Sequence, residues 1–331
     1  MRPGAKPPRR ETTAMPELPD LVYIEKVLRS ELGCGDRVDS AGAGAGGPTG
    51  SGALSDADGQ PGSCGPAIRE VRVKEPIVVR MVAPGSFTEA LVGKRITDIR
   101  RHGPFLRIAL GGAEEASLDM VIHFMLAGKL HLLPEGRRNP PKTCFALVLD
   151  SGSALHYADA RKMGKVYVVP AGEYGAVPGY LEQGVDVTAP DFTREAFRAL
   201  VGKRRHQVRV FLMDQKALSA IGNAYADEIL FEARIHPKTL CSRLRPEDVE
   251  RLYESILRVM GRAIREVEAA GRPIDEKIRD HVRVRNRRGE PCPRCGAVIR
   301  RTSVLGYDSF FCPRCQPATR KTLVPWDELS T

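Results

Sequence analysis

Four cysteines in "CPRCGAVIRRTSVLGYDSFFCPRC" set the tightest geometric limit in this 331-residue sequence. Cys292, Cys295, Cys312 and Cys315 form C-x2-C-x16-C-x2-C, with a proline inside each pair. Each C-P-R-C makes a tight knuckle. Two knuckles facing each other across a hairpin place four thiolates tetrahedrally around one ion, the geometry that Zn²⁺ takes from sulfur ligands. Disulfides are the alternative, but they are rare in the reducing cytosol expected for this chain. Four sulfurs close the coordination shell and leave no position for water, so one structural zinc is expected. Cys34, Cys64, Cys144 and Cys241 have no such spacing and read as free thiols.

Upstream, hydrophobic periodicity changes once. From Ile68 to Val169, runs such as "RITDIRR", "FLRIAL", "MVIHFM", "FALVLD" and "KVYVV" are short and β-rich, and Gly, Pro and Asp separate them. Closely spaced strands of this kind predict an antiparallel sandwich or barrel. After "TAPDFT" the spacing becomes helical, in "REAFRALV", "QVRVFLMDQKAL", "AYADEILFEARI" and a long run over 246–270. A β domain, a helical domain and a metal-stapled hairpin are therefore expected in that order. Residues 33–67 fit neither pattern: eleven of the thirty-five are Gly and no apolar period is present. They read as a flexible insertion. The insertion spells G-x-G-x-x-G at Gly42–Gly47, but no strand leads in and no helix follows, which excludes a dinucleotide site.

Charge narrows the choice of partner. The net charge is +10, and residues 272–301 alone hold ten Lys/Arg against four acids. A basic segment beside a zinc hairpin points to a polyanion, nucleic acid before others. No apolar run approaches the ~20 residues needed to span a membrane. The basic first fourteen residues lack the apolar segment of a secretory signal, so a cytoplasmic chain is expected.

Two further stretches carry chemistry. In "MDQKALSAIGNAYADEILFEARIHP", Gly222-Asn223 lies between two helical runs, and Asn223 is placed to cap the second. The free N–H groups of such a helix start make a phosphate cradle, although an ordinary helical hairpin has the same pattern. In "MPELPDLVYIEKVL", Pro19 and Asp20 suit the first turn of a helix whose apolar face is Leu21, Ile24, Val27, Leu28 and Leu32.

These motifs, in this order, resemble the formamidopyrimidine-DNA glycosylase and endonuclease VIII family of base-excision repair enzymes. The likeness spans residues 15–32 and about 68–317, and rests on "MPELPD", "DQKALSAIGNAYADEILF" and "GEPCPRCG…FFCPRCQ". It implies an α+β multidomain protein with the following organisation. An N-terminal catalytic β-sandwich domain covers 15–190 and carries the 33–67 insertion. A helix–two-turn–helix domain follows over 191–288, a four-cysteine zinc finger hairpin over 289–317 and a tail over 318–331. Outside the likeness, residues 1–14 read as a disordered extension, since "MRPGAKPPRRETTA" offers nothing that could pack. The implied partner is double-stranded DNA with damaged or abasic nucleotides, bound by a monomer in a bacterial-type, nucleoid-associated setting.

The resemblance also assigns roles. Pro16 matches the family's nucleophile, a secondary amine that forms a Schiff base at C1′, and Glu17 matches its catalytic glutamate. Lys216 and Asn223 match residues beside the lesion and its phosphates. Leu126, Arg161 and Met163 match the wedge that fills the gap left by the extruded nucleotide. Three positions depart from the pattern. Asp20 stands where the family has Glu, Pro104 where it has a lysine, and Tyr307 where the finger has an arginine. His102, Arg100 or Arg101 could replace the first missing cation, and Arg300 or Arg301 the second. Two readings follow: a bifunctional glycosylase with lyase activity, or a noncatalytic paralogue that binds damaged DNA. In the sequence Pro16 follows Ala14-Met15, so its nitrogen is an amide unless the chain starts at Met15 and loses it.

Overall fold

The computed structural model describes residues 15–34, 65–111 and 117–318. The 1–14 extension, most of the Gly-rich insertion with its G-x-G-x-x-G and Cys64, and the tail beyond Ala318 lie outside the described residues. The ends of the insertion do not read as linker. Cys34 is buried, with its Sγ 3.6 Å from the Ile96 carbonyl, and Ala67 bridges to Arg95. The chain is therefore packed as far as Cys34 and again from Gly65, and the compositional boundary at 33–67 is too wide.

Helix α1 (Leu18–Glu31) comes first, followed by strands β1 (Ile68–Val73) and β2 (Val79–Met81) and short helix α2 (Phe87–Leu91). Seven strands then run through β3 (Arg95–His102), β4 (Phe105–Gly111), β5 (Leu118–His123), β6 (Gly128–Pro134), β7 (Thr143–Leu149), β8 (Ser153–Asp159) and β9 (Lys165–Pro170). They form two sheets, β1-β7-β8-β6 and β2-β9-β5-β4-β3. Every pairing in the two sheets is antiparallel except β2 with β9, which is parallel. One core joins them, with Ile68, Leu147 and Leu155 from the first sheet and Ile108, Met120 and Val166 from the second. The expected β-sandwich is present. The single run expected over "IREVRVKEPIVVRMV" is broken, because Pro76 opens a 3-10 turn that separates β1 from β2.

The helical half contains β10 (Val185–Asp186), α3 (Arg194–Gly202), α4 (Val208–Met213), β11 (Leu218–Ser219), α5 (Asn223–Ala233) and α6 (Pro246–Ala270). The helical spacing of "QVRVFLMDQKAL" is realised only to Met213. Leu218 and Ser219 instead pair in parallel with Val185 and Asp186. Helix α1 ties the two halves together: Leu18 belongs to the helical core, and Leu21, Ile24 and Leu28 belong to the sandwich core. The chain closes with hairpin β12 (Arg300–Val304) and β13 (Tyr307–Phe311), whose residues pack on Phe231 of α5.

Candidate nucleic-acid interface and active site

The start of α1 and the start of α5 meet at one carboxylate. Glu17 is only 3% exposed, and its two oxygens accept the backbone N–H groups of Ala224 (3.0 Å) and Tyr225 (3.2 Å). It thus caps α5 from another segment, 207 residues away from Ala224, where unpaired N–H groups and the positive end of the helix dipole favour an anion. Asn223 does not cap α5, contrary to the sequence expectation. The helix begins at Asn223 with Gly222 as its N-cap residue and no side-chain cap, while the Asn223 Oδ1 accepts from Arg209 at 2.7 Å. Gly222 is required because a Cβ there would fall 2.5 Å from the Glu17 Cδ.

Burial raises the Glu17 carboxyl above the ordinary range, against the lowering influence of Arg279 and the two N–H donors. A carboxyl that keeps its proton to a higher pH than usual, yet can still exchange it, suits general acid–base work. Its neighbour Asp20 fixes this end of α1. It accepts the Glu17 N–H at 2.8 Å and takes both terminal nitrogens of Arg279, at 2.8 and 2.5 Å. The shorter side chain at position 20 therefore still makes a bidentate ion pair. Arg279 also lies over the ring of Tyr225, whose hydroxyl meets His281 Nε2 at 3.0 Å. Beside this network Pro16 lines a small pocket with Asp20, Tyr23, Phe124, Lys129 and Lys277.

Register brings Leu126, Arg161 and Met163 to one end of the sandwich. Gly128 opposes Asp159 and His123 opposes Lys165, so the loop carrying Leu126 lies beside the loop carrying Arg161 and Met163. Asp159 shapes the second loop by accepting the N–H groups of Arg161 (2.8 Å) and Gly164 (2.7 Å). Gly164 has no room for a side chain, since a Cβ would collide with the Tyr157 hydroxyl. Arg161 and Met163 are exposed at the tip, Met163 by 38%, and Leu126 is half-buried. Lys216 is exposed and pairs with Glu182.

The zinc ligands converge. The four Sγ atoms of Cys292, Cys295, Cys312 and Cys315 lie within 4.8 Å of one another, with Cys295 to Cys312 at 3.5 Å and Cys292 to Cys315 at 3.9 Å. Sulfurs about 2.3 Å from a shared ion in a tetrahedron stand roughly 3.8 Å apart, so the four thiols fit one structural zinc. Cys144 and Cys241 are buried free thiols, and Cys34 is buried as well.

Asp227 holds the hairpin against the helical core. It accepts from Arg209 Nε (3.1 Å), Ser309 Oγ (2.7 Å), the Phe310 N–H (3.1 Å) and Arg285 (2.9 Å). Arg209, 1% exposed, and Arg285 both donate to the Asp308 carbonyl, at 2.9 and 2.8 Å. Much of the basic segment is consumed in this way. Arg279, Arg283, Arg285 and Arg294 pair with acids of α1 and α5, and Arg301 pairs with Asp308. Among the described residues, Arg287, Arg288 and Arg300 have no ion pair of this kind.

At the two departures, Pro104 is buried in the turn between β3 and β4, and Tyr307 is 57% exposed at the start of β13. The proposed substitutes are mostly engaged elsewhere. Arg101 pairs with Asp186, Arg100 with Asp98, and His102 Nε2 meets the Tyr180 carbonyl at 2.8 Å. Sequence reasoning missed Arg209, Asp227, Arg279 and Lys277. Arg209 interrupts an apolar run in "QVRVFL", which was the one signal available for it.

Three family models match this architecture: the formamidopyrimidine-DNA glycosylase N-terminal domain over 59–166, the formamidopyrimidine-DNA glycosylase H2TH domain over 183–272, and the zinc finger found in FPG and IleRS over 289–318. The chain belongs to the formamidopyrimidine-DNA glycosylase family. It is 34% identical over 259 residues to the formamidopyrimidine-DNA glycosylase of Symbiobacterium thermophilum, covering 76% of this chain and 83% of that one. It is 35% identical over 263 residues to the Heliobacterium modesticaldum enzyme, covering 76% and 93%. Its fold matches the MutM (Fpg) protein of Thermus thermophilus, with TM-score 0.69 and 26% identity over 91% of this chain and 98% of that one. It also matches the Lactococcus lactis Fpg in complex with DNA containing an abasic site, with TM-score 0.73 and 23% identity over 92% and 100%.

Proposed function

We propose that this protein is a bifunctional DNA glycosylase and abasic-site lyase acting on double-stranded DNA with a damaged, oxidised base. The observation that carries this reading is the buried Glu17 carboxyl, raised by burial, held on the α5 N-terminus and adjacent in the chain to Pro16. The secondary amine of Pro16 attacks C1′ as the bond to the base breaks, and an iminium forms. Glu17 donates a proton to the sugar ring oxygen. The iminium makes the C2′ proton acidic, its removal expels the 3′-phosphate, and water then releases the amine. Leu126, Arg161 and Met163 fill the vacated stack, a role suited to side chains on two adjacent loops at one end of the sandwich. The 15–190, 191–288 and 289–317 segments act as catalytic domain, DNA-gripping domain and finger, in a monomer associated with the nucleoid. No helix among the described residues is long and apolar enough to cross a membrane.

One observation favours the noncatalytic alternative. With Ala14-Met15 ahead of it, the Pro16 nitrogen is an amide whose lone pair is delocalised into the carbonyl. Attack by Pro16 itself requires its nitrogen to be a free amine, through a start at Met15 and removal of that methionine. Intact-mass analysis of protein made from its native message, with borohydride trapping on abasic duplex, tests this. A Pro16 terminus that traps an adduct supports the enzyme. A Pro16 terminus that traps none leaves the damaged-DNA binder.

A further inference from the structure

We propose that Lys277 is a second amine nucleophile of the Pro16 pocket, its Nζ forming an imine with abasic deoxyribose when the Pro16 nitrogen is held in a peptide bond. This rests on the proposed lyase reading and names a second residue able to begin the same elimination. Lys277 lies in the segment after α6, within the basic stretch over 272–301 that the sequence marks as facing a polyanion. It lines the same pocket as Pro16 and Asp20. Asp20 is bonded to the Glu17 N–H, so this wall of the pocket is continuous with the general acid–base residue.

Most other nitrogen and sulfur groups that could attack are engaged or buried. Arg279 is a guanidinium locked bidentate on Asp20. Cys292, Cys295, Cys312 and Cys315 are gathered as metal ligands, while Cys34, Cys144 and Cys241 are buried. Lys129 lines the pocket from β6 and faces Lys277 as a like charge.

These surroundings activate the amine. Burial, with the positive charges of Arg279 and Lys129, brings Lys277 down to about 8, while Asp20 and Glu17 pull the other way. A lysine in that range supplies neutral amine near physiological pH, the condition that Schiff-base lysines meet. Nζ adds to the C1′ aldehyde of the ring-opened sugar, and the carbonyl oxygen leaves as water. The protonated imine loses its C2′ proton to the Glu17 carboxylate, and the C3′–O bond breaks with the 3′-phosphate as leaving group. Hydrolysis of the imine regenerates the lysine. No oxidant or further co-reactant is needed.

The test compares the chain that retains residues 1–15 with the form beginning at Pro16, each incubated with abasic duplex and borohydride and then mapped by peptide mass. The retained chain is expected to trap an adduct on Lys277, faster as pH rises from 6 to 9. Trapping should fall at least tenfold in Lys277→Arg and Lys277→Gln, with zinc content and DNA retention confirming that both variants fold. An adduct on Lys129, Lys216 or any other residue overturns the assignment. So does a retained chain that traps nothing while the Pro16 form traps at Pro16, an outcome that leaves the proposed function standing. Failure of both forms to trap removes the lyase reading itself and this inference with it.

Discussion

At the scale of single residues, Glu17 was legible in part. Its place in "MPELPD" marked it as catalytic by resemblance, but nothing local in the sequence could show that it caps a helix 207 residues away. The result is a carboxyl that binds its proton more tightly folded than unfolded. The stability owed to that proton is fully present below the unfolded value and is lost as pH rises through the higher folded value. Glu17→Gln should therefore flatten this part of the melting temperature against pH, and cut base release about 10²- to 10⁴-fold, as loss of a general acid–base group does. Melting curves between pH 4 and 8, with single-turnover assays, check both; an unchanged pH profile would show that the carboxyl is not perturbed. Gly222 gives a steric test of the same contact. In Gly222→Ala the new Cβ meets the Glu17 carboxyl carbon at 2.5 Å. Destabilisation of about 1–3 kcal/mol, the usual cost of overpacking, is expected in denaturant titrations, together with lost turnover.

At the scale of elements, α1, most strands, α5, α6 and the cysteine hairpin follow from periodicity and spacing, because each rests on local pattern. The errors have local causes that the pattern does not contain. Pro76 breaks a strand, residues 218–219 leave a helical run to pair with β10, and Asn223 gives up capping because Arg209 holds its carbonyl oxygen. The basic segment misled in a different way. Its arginines looked like a DNA-facing patch, yet several are clamped by Asp227, Glu228 and Glu232 on α5, acids distant in sequence. The finger is thus held to α5 by buried ion pairs as well as by Phe231. Metal supplies the folding free energy of so small a core, so chelation or Cys312→Ser should melt the hairpin and abolish DNA retention. The far-ultraviolet circular dichroism, dominated by the sandwich and helices, should scarcely change. Full retention on a DNA filter by the metal-free protein would contradict this. In Asp227→Asn, four donors face a neutral amide, two of them arginines. A loss of about 3–5 kcal/mol is expected for breaking a buried pair, readable as a lower denaturant midpoint.

At the scale of the whole molecule, the question is how many phosphates this surface can neutralise. The net charge of +10 overstates the supply, since much of the basic segment is spent on internal pairs and residues 104 and 307 carry no charge. Among the described residues, Arg287, Arg288 and Arg300 around the finger are left without an acidic partner, while Lys216 is exposed but paired with Glu182. Each neutralised phosphate contributes a slope of about −0.9 to log K against log salt. DNA binding should therefore weaken with salt along a shallow line, and Pro104→Lys and Tyr307→Arg should steepen it by roughly one phosphate contact each. The two changes differ in risk. Tyr307 is exposed on a hairpin and accepts an arginine without disturbing a core, whereas Pro104 is buried in a turn beside Gly103, whose φ is +53°. Tyr307→Arg is thus the cleaner measurement, and a steeper slope with faster single-turnover cleavage is the expected outcome. If the slope does not move, position 307 does not face a phosphate, and the charge the family places there is delivered from another part of the surface, with Arg287, Arg288 and Arg300 the residues to titrate next.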